Sequence, residues 1–163
     1  MIGQRSAIWA IALVLSGGPT AAVFAAPPVN TLKTQSVEGV EARAKLAQEI
    51  NDSLFSFSEL AFQEHETAKY LTAILEKEGF TIQRNVAGLP SGWVASWTNG
   101  TGGPVIALGS DIDGIPKANQ KPGIPWREPL VPGAPGHGEG HNSGQAVNIV
   151  AALAVMDLMK RHN

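Results

Sequence analysis

The residues most suited to chemistry lie in one short glycine-rich stretch, residues 136–142 (GHGEGHN). His137, Glu139 and His141 alternate with glycine, so in an extended backbone their side chains project from the same side. Imidazole and carboxylate form a ligand set that suits zinc and, with less selectivity, manganese or cobalt. Two or three ligands from one loop leave a catalytic site incomplete, and the others must come from elsewhere. The pattern predicts part of a metal site; the alternative is a flexible glycine-histidine loop that binds no metal.

Two acidic residues, Asp111 and Asp113, follow the short apolar run Val105–Leu108 (VIAL), which predicts a strand buried on both faces. Their spacing places both carboxylates on one face at the strand exit, where open α/β sheets bind their ligands. Two carboxylates on one face are costly unless a positive charge lies between them or one is protonated. A metal ion, or an imidazole that binds one, would remove that cost. In the alternative, one Asp caps the following turn and the other is solvated.

Composition excludes several functional classes. The 163 residues carry 12 Lys and Arg against 14 Asp and Glu, a net charge of −2, which excludes a strongly basic nucleic-acid binder or a polybasic membrane-surface protein. The absence of cysteine excludes disulfide frameworks and thiol nucleophiles. A hydrophobic content of 44% excludes an intrinsically disordered chain. Ser143 lacks the surrounding motif of a serine hydrolase, and Gly100–Gly103 lacks that of a phosphate-binding loop.

The first 25 residues have the features of an export signal. Arg5 precedes an uncharged apolar run, Ala7–Leu15, and small side chains at Val23 and Ala25 fit a signal peptidase that cleaves after Ala25. We therefore expect a periplasmic or secreted protein with no membrane attachment after cleavage. An uncleaved anchor is the alternative, although the apolar run is short for a bilayer core of about 30 Å.

The mature chain alternates helical and extended patterns. Residues 26–36 are predicted to be a linker that precedes the folded part, residues 37–163. Hydrophobic periodicity predicts helices over 38–57 and 64–78, the second followed by Gly79 as a left-handed cap. Strands are predicted over 81–85, 92–97 and 105–108, followed by a functional loop over 114–140. The last predicted element is a helix over 145–160, buried nearly all round and capped by Asn142 or Ser143.

This order of elements predicts an α/β sandwich. The chain stops at Asn163 as soon as the last helix ends, and no strand follows to complete a β-α-β unit. We therefore expect the sequence to be the N-terminal portion of a larger catalytic domain.

Three segments resemble motifs of one known family. Residues 58–67 (SELAFQEHET) resemble the helix-joining motif of the co-catalytic zinc aminoacylases and carboxypeptidases, and residues 109–116 (GSDIDGIP) resemble their D-x-D-x-x-P strand end. Residues 136–142 fall where the amidohydrolase branch of that family has a Cys-Gly-His-Asp metal loop. The resemblance spans roughly Glu38 to the C-terminus, with the three motifs in the family's order.

The resemblance implies a two-metal hydrolase that cleaves amide bonds in N-acyl or aroyl amino acids or short peptides through a metal-activated water. Glu139 replaces the ligating Cys, and His141 matches the ligating His. Asp113 matches the catalytic-site carboxylate that orients a metal ligand. Asp111 falls where other branches have a metal-binding His. Asp111 and, from the glycine-rich stretch, His137 are further candidates to bind a metal or to orient a ligand. Because Glu is a harder ligand than Cys, we expect the preference among Zn, Mn and Co to move towards Mn or Co.

In the family, the glutamate general base, further metal ligands and a dimerisation domain all follow the region covered here. The resemblance therefore implies that the full-length form is a homodimer and that this chain alone is inactive. A non-catalytic exported metal-binding module is the alternative. The two hypotheses differ in what they require downstream, since only the hydrolase needs a Glu-Glu pair and another His.

Overall fold

A computed structural model describes residues 27–162. The predicted export signal and its cleavage position lie outside the described residues. The described elements are, in chain order, α1 (Val29–Glu41), α2 (Ala44–Phe57), α3 (His65–Lys77), β1 (Thr81–Arg84), a short 3-10 helix (Val86–Gly88), β2 (Trp93–Ser96) and α4 (His141–Arg161). None of these helices is long and apolar enough to cross a membrane.

The core lies between α2, α3 and α4. Each helix contributes an apolar stripe at helical spacing, and the buried members are Ile50, Leu54, Leu71, Leu75, Ala146, Ile149, Leu153 and Met156. Contacts of α2 with α4 are the most extensive between helices. The predicted helices over 38–57, 64–78 and 145–160 are therefore present, although the first is divided between α1 and α2 at residues 42 and 43.

The predicted linker over residues 26–36 is wrong for most of its length, because α1 begins at Val29. The polar, Pro-containing composition suggests a tether, and α1 indeed has no buried residue. The helix is nevertheless held against α4: a Cβ at Gly39 would lie 3.1 Å from that of Ala154, so the two backbones approach closely. Arg43, just after α1, pairs with Asp157 of α4 at 2.5 Å.

The first two predicted strands form an antiparallel hairpin. Thr81 pairs with Ser96 and Arg84 with Trp93. Gly79 joins α3 to this hairpin with φ +94°, so its predicted role as a left-handed residue after the helix is confirmed.

The predicted strand Val105–Leu108 is wrong. Within the described residues it pairs with no other strand, and Val105 and Ile106 are 97% and 77% exposed. An apolar run becomes a strand only when a neighbour takes up its backbone hydrogen bonds, and the β1–β2 sheet does not extend to it.

Two features predicted for the last helix are also wrong. Its N-cap is Gly140, at φ +106°, rather than Asn142 or Ser143. Its burial is incomplete, because Val147 and Val155 are 63% and 42% exposed. The described part of the chain is thus a mixed α/β assembly of four α-helices and a two-stranded antiparallel sheet.

Candidate metal centre

The three sequence motifs meet through backbone hydrogen bonds. Gly114, directly after Asp113, donates to the carbonyl of Glu59 at 2.6 Å. Ile115 and Gly136 exchange two hydrogen bonds of 2.9 and 3.1 Å, which brings the glycine-rich stretch alongside the segment that contains Asp111 and Asp113. The long loop between them carries no regular element but is closed at its base by this pair.

Glycine is required where these segments cross. A Cβ on Gly136 would collide with the backbone of Ala118, and one on Gly114 would lie 3.2 Å from the carbonyl oxygen of Ser58. Gly140 adopts a left-handed φ that starts α4 directly at His141. The glycines of the 136–142 stretch therefore permit both the close approach and the sharp entry into the helix.

His141 lies at the centre of the site, between carboxylates from both loops. Its Nδ1 is 3.0 Å from Oδ1 of Asp113 and 3.2 Å from the Asp113 carbonyl oxygen. Its Nε2 is 3.2 Å from Oε2 of Glu139 and 3.8 Å from Oδ2 of Asp111. Burial lowers the pKa of His141, but the Asp113 carbonyl and carboxylate and the Glu139 carboxylate outweigh it, so the pKa is raised overall.

His137 behaves differently. Neither of its ring nitrogens makes a hydrogen bond of ordinary geometry within the described residues. Burial lowers the pKa of His137; the backbone of Leu54 and the charge of Asp113 oppose this, while a charge on His141 adds to it. Burial thus favours the neutral imidazole of His137 over the protonated one, and the neutral form is the one that binds metals.

The structure thus brings Asp111, Asp113, Glu139 and His141 together, while His137 lies near them without a direct contact. Among residues 27–162, no group of three or more His, Asp or Glu side chains is arranged to hold a metal ion by itself. The donor chemistry nevertheless fits a partial coordination sphere. Ligands about 2.0–2.1 Å from a tetrahedral zinc lie roughly 3.3 Å apart, close to the 3.2 Å between Nε2 of His141 and Oε2 of Glu139.

Residues that sequence reasoning missed hold this site in place. Asn142 donates to Oδ1 of Asn51 at 3.0 Å, which fixes the start of α4 against α2. Asn148 donates to the Gly109 carbonyl at 3.1 Å and so ties α4 to the segment before Asp111. Asn148, a polar side chain on a helix predicted to be apolar nearly all round, was the available signal, and Asn142 was considered only as a cap; nothing in the sequence pairs either residue with its partner.

Comparison with known proteins gives two significant relatives. The chain is 34% identical over 125 residues to one of the subunits of p-aminobenzoyl-glutamate hydrolase from Escherichia coli, a match that covers 77% of this chain and 26% of that protein. It is 29% identical over 124 residues to "Putative amidohydrolase YhaA" of Bacillus subtilis, covering 76% of this chain and 30% of that protein. These relatives support an amidohydrolase family. The chain spans between a quarter and a third of their length. No family model and no solved structure matches.

Proposed function

We propose that the chain forms part of a metal-dependent hydrolase of amide bonds in N-acyl or aroyl amino acids or short peptides, similar to p-aminobenzoyl-glutamate hydrolase. The observation that carries the proposal is the position of His141, with Asp113 on Nδ1 and the carboxylates of Glu139 and Asp111 facing Nε2. The names of both relatives agree with the amide-hydrolysis part of the proposal.

Each site residue has a role in this proposal. Glu139 and His141 bind divalent cations, and Asp111 and His137 are further donors. Asp113 accepts a hydrogen bond from Nδ1 of His141 and so keeps Nε2 free to bind a cation, as carboxylates do for metal-binding histidines. These residues would hold two Zn, Mn or Co ions, and the chemistry such ions would supply is a water whose pKa is lowered towards about 7, as amide hydrolysis requires.

The proposal extends to the parts of the protein that this chain does not supply. The described helices and hairpin would be the N-terminal portion of a co-catalytic zinc-peptidase-like α/β sandwich. The general base, the remaining ligands and a dimerisation domain would follow. The 163-residue chain alone would not hydrolyse amides, since part of each coordination sphere is missing.

A chimera tests the function. Residues 38–163 of this chain would replace the matching segment of the E. coli relative, and hydrolysis of p-aminobenzoyl-glutamate would be measured with Mn, Co or Zn added. We expect activity that is lost in His141→Ala and retained in the matched control His65→Ala, whose histidine is exposed and outside the site.

Three outcomes would contradict the proposal. A chimera that folds and binds metal but does not hydrolyse the amide favours the non-catalytic metal-binding module. Equal activity in the chimera and in its His141→Ala variant removes His141 from the site. Hydrolysis by the 163-residue chain alone would show that no further ligands are needed.

A further inference from the structure

A loop over residues 117–134, the recognition loop, separates the two halves of the metal centre along the chain. Asp113 lies just before it and His137 just after it. Asn119 donates to the Ala134 carbonyl at 3.1 Å, and Lys121 to the Glu128 carbonyl at 2.8 Å, so the loop folds back on itself. The side chains at the two ends of this loop therefore lie beside the site.

The loop has a fixed conformation. The guanidinium of Arg127 donates to the carbonyl oxygens of Lys117 and Asn119, the first at 2.7 Å. The side chain of Gln120 accepts from the Glu128 amide at 3.1 Å and donates to the Trp126 carbonyl at 2.9 Å. These bonds leave little conformational entropy to be lost when a ligand binds.

Lys117 is unusual within this loop. Its φ is +60°, a left-handed conformation that costs energy in any residue with a Cβ and that clusters at functional positions. The next residue, Ala118, lies against Gly136 and Gly138, on both sides of His137. The backbone of Lys117 is thus strained and close to the metal centre.

The charge of Lys117 is also available. Among the three cationic residues between Asp111 and His137, Lys121 pairs with Glu128 at 3.1 Å, and Arg127 is bonded to backbone carbonyls. The ammonium of Lys117 makes no hydrogen bond or ion pair with the described residues, and the side chain is exposed. Since the site itself is acidic, an anionic ligand needs such a group.

We propose that Lys117 is a specificity-determining residue that binds a carboxylate of the substrate. This inference rests on the proposed function, because every N-acyl or aroyl amino acid keeps a free α-carboxylate beside the amide to be cleaved. A flexible four-carbon stem lets the ammonium follow that carboxylate, and the strained, braced backbone holds its origin beside the site.

The test measures ligand binding rather than turnover. N-(4-aminobenzoyl)-L-glutamate and its uncharged counterpart 4-aminobenzamide are titrated into the 163-residue chain in EDTA, so that no metal can hold the carboxylate, and NMR shifts give Kd. We expect the glutamate conjugate to bind more tightly than the amide. Lys117→Gln should raise its Kd about three- to fivefold, the upper part of the range for loss of one exposed charge pair. The matched control Lys121→Gln should change it less than about twofold.

A second variant separates recognition from folding. Lys117→Gly should raise the thermal midpoint, because glycine adopts a positive φ at little cost, and should still lose affinity like Lys117→Gln. An unchanged Kd in Lys117→Gln, an equal loss in Lys121→Gln, or no binding by the wild type would each overturn the inference. An inactive chimera with Lys117-dependent binding would refute the proposed function alone. An active chimera whose KM is unaffected by Lys117→Gln would refute this inference alone.

Discussion

Glu59 links the start of α3 to the candidate metal centre, and the loss of its side chain has a predictable cost in stability. Its carboxylate accepts from the backbone N–H of Glu66 at 3.0 Å and of Thr67 at 2.8 Å, at the start of α3. These are donors without partners inside the helix, and the carboxylate also interacts favourably with the helix dipole. Burial raises the pKa of Glu59, but the bonds from Thr67 and Glu66 outweigh it, and the pKa is lowered.

The magnitude follows from those two interactions. Loss of a capping side chain costs about 1 kcal/mol, and loss of a charge near a helix N-terminus adds roughly 0.3–1 kcal/mol. We expect Glu59→Ala to lower the free energy of unfolding by about 1.3–2 kcal/mol. Glu59→Gln keeps one acceptor and should lose about half as much. The control Glu66→Gln removes an exposed pair with Lys69, at 3.3 Å, and a charge in the first turn of α3, but no capping acceptor, and should cost under about 1 kcal/mol.

Urea unfolding followed by tryptophan fluorescence provides the assay. Because the pKa of Glu59 is lowered on folding, its stabilisation is present above the unfolded value of about 4.3 and is lost as pH falls through the folded value. The difference between wild type and Glu59→Gln should therefore shrink from pH 7 towards about pH 3. A difference that is independent of pH, or equal losses in Glu59→Ala and Glu66→Gln, would refute the capping role.

Three further predictions concern the site and the core. Because the pKa of His141 is raised on folding, its stabilisation is fully present below the unfolded pKa of about 6.5 and is lost as pH rises through the folded pKa. In metal-free protein, Asp113→Asn should therefore lower the pKa of His141 measured by NMR, and should destabilise the fold more at about pH 5.5 than at about pH 9. An equal loss of stability at the two pH values would contradict this. Leu153→Ala should cost about 2–5 kcal/mol in urea unfolding and the exposed Val147→Ala under about 0.5 kcal/mol, and similar losses would contradict the assigned core. Glu139→Cys should shift metal preference from manganese towards zinc in competitive titration, and an unchanged order would contradict a ligand role.

Local sequence patterns predict most of the core and the hairpin. In α2 and α3 the apolar spacing alone identifies the buried face, and Gly79 marks the end of the second of these helices. Apolar spacing does not predict α1, because the position of this helix depends on a close approach to α4 rather than on an apolar stripe of its own. For Val105–Leu108, composition wrongly predicts a strand. The residues are typical of a strand, but strand pairing depends on partners far away in the chain.

The site shows the same division. Alternation within residues 136–142 and the spacing of Asp111 and Asp113 indicate the donors, and their types indicate the chemistry. The pairing that joins the two loops, between Ile115 and Gly136, is separated by 20 residues of irregular chain and has no periodic signal. The Asn51–Asn142 hydrogen bond is likewise a tertiary contact that the local sequence around either residue does not predict.

Metal binding to the 163-residue chain tests most directly whether the segment with Asp111 and Asp113 and the glycine-rich stretch share a cation. Isothermal titration with Mn²⁺ and Zn²⁺ would compare the wild type with His141→Ala, Asp113→Asn and the control His65→Ala. We predict that the wild type and His65→Ala bind equally, and that His141→Ala and Asp113→Asn each weaken binding about tenfold or more. No binding by the wild type, or the same affinity in His141→Ala, would contradict the shared site.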